Sequence, residues 1–196
     1  MSHIRPLREF VVGVTKLLDG RPGEAEFLPL CGELLDQLVA EDDWLPDEFA
    51  ADDPVRYCQY LLHCDPFERF SVVSFVWGPG QSTPIHDHRT WGAIGILRGM
   101  EESTLFDRDK ATGRLTQGET RMLRQGAVDF VSPRLGDIHE VRNASDAQTS
   151  ISIHVYGANI GAVKRHTFDP ETGQPSDFVS GYTSERVPNL WDLSRE

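Results

Sequence analysis

The sequence lacks the features of secreted, membrane-spanning and nucleic-acid-binding proteins. No apolar run approaches the roughly 20 residues that span a bilayer, and residues 1–6 contain no apolar signal core. The three cysteines form no Cys-X-X-Cys pair, so we expect no structural disulfides and a cytoplasmic location. The formal net charge of −12 disfavours nucleic acids and anionic membrane surfaces as partners.

The chain of 196 residues is long enough for one domain with a substantial core. Apolar residues recur at helical spacing in 7–18 and 27–38, with a Gly/Pro break at 20–23. From Tyr57 onward, short apolar segments alternate with turn residues, which favours an antiparallel barrel or sandwich. We therefore predict a single, mainly β domain with helices in 1–54, a β-barrel in 55–168 and an irregular arm in 169–196. The aromatic and apolar side chains expected to pack this arm on the barrel are Phe178, Tyr182, Leu190 and Trp191.

The strongest functional signal is the histidine pair His86 and His88, followed about fifty residues later by His139. In an extended strand over 85–88, side chains two residues apart point to the same face. One metal ion could then bind all three imidazoles and keep open coordination positions for chemistry. A lone histidine is more commonly a surface or core residue, but turn residues precede both groups here. On ligand identity alone, zinc in a hydratase or hydrolase competes with iron.

Two glycine-containing motifs surround these histidines. They read Gly80-X5-His86-X-His88 and Gly126…Pro133…Gly136-X2-His139-X3-Asn143. Both resemble the motifs of the cupin superfamily, although most cupins also place a glutamate ligand after the second histidine. The segment 89–93 has no carboxylate. With that departure, the chain resembles the thiol dioxygenases of the cysteine dioxygenase type I family over about 57–168.

The resemblance implies a cupin-type antiparallel β-barrel, or jelly roll, with the N-terminal helices packed outside. It also implies one Fe(II) per chain, bound by His86, His88 and His139. Because three neutral imidazoles leave the full charge of the ion uncompensated, an anionic thiolate can bind there.

A strictly alternating segment, Ser152-Ile153-His154-Val155-Tyr156, follows the second motif. On a strand, Ser152, His154 and Tyr156 share one face. The spacing fits a polar outward face and a hydrogen-bonded trio about equally well. The resemblance implies the trio, beside the iron, with the Tyr156 hydroxyl hydrogen-bonding to substrate or oxygen.

The mammalian-type enzymes of this family cross-link their tyrosine to a cysteine that follows the His-X-His motif. Here Gly92 and Ala93 occupy that region. We therefore expect no cross-link and a free phenol at Tyr156.

Two further positions bear on the substrate. The segment 57–59 resembles the Tyr-X-Arg of cysteine dioxygenases, but Gln59 stands where their carboxylate-binding arginine would be. A neutral amide cannot form the bidentate ion pair of a guanidinium. Gln at this position resembles the 3-mercaptopropionate dioxygenase subgroup, which carries an arginine nine residues after the trio's tyrosine. Arg165 has that offset, and the resemblance implies that it binds the substrate carboxylate while Gln59 donates or accepts neutral hydrogen bonds.

These features predict an iron-dependent thiol dioxygenase that converts 3-mercaptopropionate and O2 to 3-sulfinopropionate. A cysteine dioxygenase that produces cysteine sulfinate is the alternative within the class. Two other classes of protein remain alternatives. One is a cupin hydrolase or isomerase that uses zinc, manganese or nickel, and the other is a non-catalytic cupin sensor. The expected partners are a small thiol and O2, and the sequence leaves open whether the chain is a monomer or a homo-oligomer.

Overall fold

The computed structural model describes residues 3–191. Two antiparallel helices come first: α1 spans Arg5–Asp19 and α2 spans Glu24–Val39. Pro6 is tolerated in the first turn of α1, where a missing backbone N–H removes no helical bond. The buried face of α1 has the predicted spacing and comprises Leu7, Phe10, Val11 and Val14. No helix within residues 3–191 has the length and apolarity needed to cross a membrane.

Ten strands follow the helices within the described residues. They are β1 (Cys58–Cys64), β2 (Ser71–Trp77), β3 (Gly92–Arg98), β4 (Met100–Arg108), β5 (Leu115–Arg124), β6 (Val128–Val131), β7 (His139–Asn143), β8 (Ser150–Tyr156), β9 (Arg165–Phe168) and β10 (Pro175–Phe178). One sheet has the order β1-β2-β8-β3-β6, a second has the order β5-β4-β7, and β9 pairs with β10. Every pairing between these strands is antiparallel. The predicted fold class, a mainly β cupin-type barrel with N-terminal helices outside, is confirmed.

The prediction of a regular strand over 85–88 is wrong. His86 instead forms two isolated bridges, to His139 of β7 and to Thr167 of β9. Pro84 interrupts regular pairing because it has no N–H to donate. The segment nevertheless links the two smaller sheets, since the His86 N–H donates to His139 O at 2.9 Å and the Asp87 N–H donates to His166 O at 3.0 Å.

Strand β8 is buried on both faces. Ile151, Ile153 and Val155 pack with the helices in the main apolar core, and the alternate side chains face the barrel interior. This resolves the ambiguity of the alternating segment: the helices cover its apolar face, so Ser152, His154 and Tyr156 lie inside the barrel.

The C-terminal arm is less irregular than expected, because β10 pairs with β9 in full register from Pro175 to Phe178. Leu190 is buried in the main core, and Tyr182 packs against a smaller apolar cluster. Trp191 is 62% exposed, so the expectation that it packs on the barrel is wrong. Residues 192–196 of the arm lie outside the described part, and the division at 54/55 and 168/169 stays a prediction.

Helix α2 lies unusually close to β3. A Cβ atom at Gly95 would be 2.9 Å from Leu35 Cγ and 2.9 Å from Val39 Cγ1. Both helix side chains are fully buried, so neither can move aside freely.

We therefore expect Gly95→Ala to lower the free energy of unfolding by about 1–3 kcal/mol, because overpacking displaces the helix. Urea denaturation measures this change. Gly118→Ala on β5 is the matched control, since its nearest contact would be an ordinary 3.4 Å and its effect should stay within about 0.5 kcal/mol. Equal stabilities of the two variants would contradict the proposed close packing.

Candidate metal centre

Three buried imidazoles converge inside the barrel. The ring centroids of His86, His88 and His139 form a triangle with 4.8 Å sides, and one nitrogen from each lies within 4.8 Å of the others. His86 and His88 come from the irregular segment that connects β2 and β3 and that bridges to β7 and β9 through His86. His139 is the first residue of β7. The backbone bonds between His86 and His139 hold the two parts of the triangle together.

The outer nitrogen of each ring is already engaged. The Nδ1 partners are the Pro84 carbonyl for His86 (3.0 Å), Asp137 Oδ1 for His88 (3.1 Å) and Ser103 Oγ for His139 (3.2 Å). Each Nε2 is therefore left to face the triangle. His88 Nε2 is buried without a hydrogen-bond partner, an arrangement that a metal ion would satisfy.

The electrostatics also suit a metal ion. Burial lowers the pKa of His86 and His139 well below the usual range, and the neighbouring imidazoles lower it further. Neutral rings keep a lone pair for a metal ion, and three such donors are a familiar ligand set for divalent transition metals. The residues present thus fit a bound metal.

Asp137 orients one side of the triangle. Its Oδ1 accepts from the backbone N–H of His88 and contacts His88 Nδ1, both at 3.1 Å, and its Oδ2 accepts from the backbone N–H of Arg89 at 2.9 Å. Sequence reasoning missed this residue. Its spacing of two from His139 was the available signal, but its partner lies 49 positions away.

A hydrogen-bonded chain approaches the triangle along β8. Ser152 Oγ lies 2.8 Å from His154 Nε2, and His154 Nδ1 lies 2.8 Å from the Tyr156 hydroxyl. The Tyr156 ring stacks on His88 with a centroid distance of 5.2 Å. The predicted trio is therefore assembled, with its phenol beside the imidazole triangle. Gly92 pairs with Tyr156 across β3 and β8. A glycine has no thiol that could form a cross-link with the Tyr156 phenol.

A cavity of about 170 Å³ adjoins the triangle. Its lining combines predicted site residues with others from β2, β9 and the arm: Tyr57, Gln59, Phe75, Thr83, Pro84, His86, Tyr156, Arg165, Thr167, Phe178 and Ser180. The structure therefore brings Gln59 and Arg165, 106 positions apart in the sequence, into one space with His86 and Tyr156.

Arg165 is a buried cation, only 3% exposed. Its Nη2 donates to Ser180 Oγ at 2.7 Å, and its guanidinium lies 4.7 Å from the centre of the Phe178 ring. Its Nε has no hydrogen-bond partner, and within residues 3–191 no acidic group forms a salt bridge with it. Burial lowers its pKa, yet a guanidinium stays charged at neutral pH. An unpaired buried cation is costly, so this end of the cavity suits an anion.

Comparison with known proteins identifies the family. Residues 36–169 match the family model described as Cysteine dioxygenase type I. The chain belongs to the cysteine dioxygenase type I family. It is 29% identical over 161 residues to cysteine dioxygenase type 1 of Danio rerio, which covers 79% of this chain and 77% of that protein. It is 28% identical over 153 residues to the human protein of the same name, with coverages of 76% and 74%.

A solved structure with a double-stranded β-helix domain, an uncharacterized conserved protein from Klebsiella pneumoniae, is also similar. It shares 19% sequence identity with a TM-score of 0.47, covering 59% of this chain and 89% of that protein.

Sequence analysis did not single out every group near the site. Ser180 and Phe178, which hold Arg165, come from the arm and follow no recognisable motif. The buried acid Glu101 has Oε1 2.9 Å from Ser150 Oγ, and the sequence pattern of β4 gives no hint that it is buried. Both contacts depend on the packing of distant segments.

Replacement of Asp137 tests the triangle as a metal site. We expect Asp137→Ala to raise the metal Kd about 10–100-fold, because His88 loses the acceptor that fixes its ring. Anaerobic competition with a chelator of known affinity measures Kd. Asp146→Ala removes an exposed acid and should leave Kd unchanged. An unaltered Kd in Asp137→Ala would falsify the orienting role.

Proposed function

We propose that the protein is an iron-dependent thiol dioxygenase acting on a small thiol carboxylate, with 3-mercaptopropionate favoured. The reaction adds both atoms of O2 to the sulfur, so that R–SH and O2 give R–SO2H. The observation that supports it most is the cavity lined both by His86 of the three-imidazole triangle and by Arg165, which has no salt-bridge partner among the described residues.

His86, His88 and His139 are the residues that would hold the iron. When bound, Fe(II) supplies open positions for a thiolate and O2 and the redox capacity to join them. The ligand set alone would also accept zinc. Iron is favoured because the chain belongs to a family that is iron-dependent.

The two ends of the cavity suit the two ends of the substrate. Arg165 can pair with a carboxylate through its free N–H groups, while Ser180 holds the guanidinium in place. Gln59 lines the same cavity and can add a neutral hydrogen bond. None of the described lining residues is acidic, so the ammonium group of cysteine would find no anionic partner. This supports a thiol without an amino group.

The Tyr156 phenol faces this cavity as a neutral group. Burial raises its pKa far above the usual value, with only partial compensation from Arg165. The hydroxyl therefore keeps its proton at neutral pH and can hydrogen-bond to substrate or oxygen. His154 fixes the position of that hydroxyl at 2.8 Å.

A panel of small thiols tests the reaction and the substrate together. The protein should bind one iron per chain and consume O2 with 3-mercaptopropionate. Its kcat/KM should exceed that for cysteine about tenfold or more, since an unpaired ammonium costs more than about 1.4 kcal/mol. Comparable or reversed values would contradict the substrate assignment but not the enzyme class. Tightly bound zinc with no thiol-dependent O2 uptake would contradict the class.

Replacement of Arg165 tests the carboxylate partner. Arg165→Ala should raise KM for 3-mercaptopropionate about 10–100-fold, as expected for loss of a charge-assisted pair. Cysteamine, which has no carboxylate, should show little change. Arg165→Lys keeps the positive charge but lacks the planar guanidinium, so its KM for 3-mercaptopropionate should lie between those of the wild type and Arg165→Ala. Lys164→Ala is the matched control, because its side chain is exposed and pairs with Asp177. A KM that Arg165→Ala leaves unaltered would remove this residue from the substrate site.

A further inference from the structure

The guanidinium of Arg165 is held by two groups whose positions are fixed in different ways. Phe178 lies directly opposite Arg165 in the β9–β10 ladder, so the sheet itself places its ring 4.7 Å from the guanidinium. Ser180 accepts from Arg165 Nη2 at 2.7 Å, but it lies two residues beyond the end of β10. Because the ladder ends at Phe178, the position of Ser180 depends on the residues that follow it.

Backbone bonds fasten these following residues to the barrel. We call residues 178–183 the strap. The Gly181 N–H donates to Gly161 O at 3.0 Å, and the Thr183 N–H donates to Gln59 O at 2.7 Å. Thr183 Oγ1 in turn accepts from the Gln59 N–H at 2.8 Å. The strap is thus bonded on one side to β1 and on the other to the segment that follows β8.

Tyr182 adds a side-chain clasp between the strap and residues 157–164, the connecting segment between β8 and β9. Its hydroxyl donates to Asn159 Oδ1 at 2.6 Å and accepts from the Gly161 N–H at 3.0 Å. A Cβ atom at Gly161 would overlap the Tyr182 ring, so only a glycine lets the ring lie this close. The phenol therefore uses both its donor and its acceptor within the connecting segment.

The connecting segment leads directly into the arginine. Tyr156 ends β8 and Arg165 begins β9, and between them the segment has one short 3-10 helix, Ile160–Ala162. An irregular segment keeps one shape only where contacts with other segments offset its conformational entropy. The Tyr182 hydroxyl supplies two such contacts. It thereby holds together the backbone that leads into Arg165 and the strap that carries Ser180.

Tyr182 itself stands outside the cavity that holds Arg165. It lines a neighbouring cavity of about 250 Å³, and it is not among the described residues that line the first one. The two cavities share four lining residues, Tyr57, Gln59, Phe178 and Ser180. An effect of the Tyr182 hydroxyl on a carboxylate at Arg165 must therefore pass through the strap or the connecting segment.

We propose, on the basis of the function above, that Tyr182 is a positioning residue for Arg165. Its hydroxyl ties the connecting segment to the strap and so fixes the place at which Ser180 holds the guanidinium. The cation then meets the substrate carboxylate in a single orientation, at no further entropic cost. Loss of the hydroxyl should weaken the binding of carboxylated thiols and leave the imidazole triangle unchanged.

Exchange of the Arg165 Nε–H with water measures this positioning without thiol or O2. The group is buried, so its NMR signal in 15N-arginine-labelled, zinc-loaded, full-length protein should be protected. Its absence in Arg165→Lys assigns it. Tyr182→Phe should speed the exchange about 3–30-fold, as expected for the loss of two neutral hydrogen bonds. Tyr60→Phe is the matched control, because its hydroxyl donates to Ala51 O from the main apolar core, and it should leave the rate unchanged.

Kinetics of the iron-loaded enzyme separate positioning from a general structural role. Tyr182→Phe should raise KM for 3-mercaptopropionate about 3–30-fold with little change in kcat. Cysteamine has no carboxylate, so its KM should stay unaltered. In the Arg165→Ala background the same replacement should have no further effect on either KM, because the group that it positions is gone. A merely structural tyrosine would instead affect both thiols in both backgrounds.

The outcomes distinguish this role from the proposed reaction. An exchange rate that Tyr182→Phe leaves unaltered overturns the role of Tyr182, and so does a change in KM of equal size for cysteamine. If Arg165→Ala raises KM for 3-mercaptopropionate and Tyr182→Phe does not, the role of Tyr182 alone is excluded. If neither replacement alters that KM, the carboxylate site and the role of Tyr182 are both excluded. The exchange measurement needs no turnover, so it succeeds or fails separately from the proposed reaction.

Discussion

The barrel interior buries three side-chain polar atoms that the described protein leaves without a hydrogen-bond partner. They are His88 Nε2, Arg165 Nε and Glu101 Oε2. Each such atom costs about 1–3 kcal/mol of stability. The first belongs to the imidazole triangle, the second to a residue that lines the cavity, and the third to an acid of β4 whose other oxygen contacts Ser150 of β8. Atoms of this kind persist in a folded protein where a ligand or a change of protonation satisfies them.

The fold ties these groups together through one short irregular segment. His86 bonds to β7, which carries His139, and the next residue, Asp87, bonds to β9, which carries Arg165. The Asp87 carboxylate also accepts from the backbone N–H of His166 at 2.7 Å and contacts its ring nitrogen at 2.8 Å. The distance between the proposed metal site and the proposed carboxylate site is therefore set by backbone bonds, not by flexible side chains.

Local sequence was informative wherever the site depends on nearby residues. The His86/His88 spacing predicted convergence although its strand is interrupted, because the bridges to β7 and β9 keep the backbone extended there. The alternation in 152–156 predicted that Ser152, His154 and Tyr156 share one face, but only the helices covering Ile153 and Val155 decide that this face is inside. Sequence could not reveal partners set by distant packing. Asp137 meets His88 across 49 positions, and the Ser180 hydroxyl reaches Arg165 only because β10 folds back on β9.

The charge of the cavity runs opposite to that of the chain. The molecule carries a formal charge of −12, yet the described lining of the cavity contains Arg165 and no acid. A divalent metal on three neutral imidazoles adds a second cationic end. A substrate with a thiolate and a carboxylate offers one anion to each of these ends. An added ammonium would stand between two cationic ends without an anionic partner. Pairing of opposite charges, more than the volume of the cavity, would thus be the physical basis of the proposed preference for 3-mercaptopropionate over cysteine.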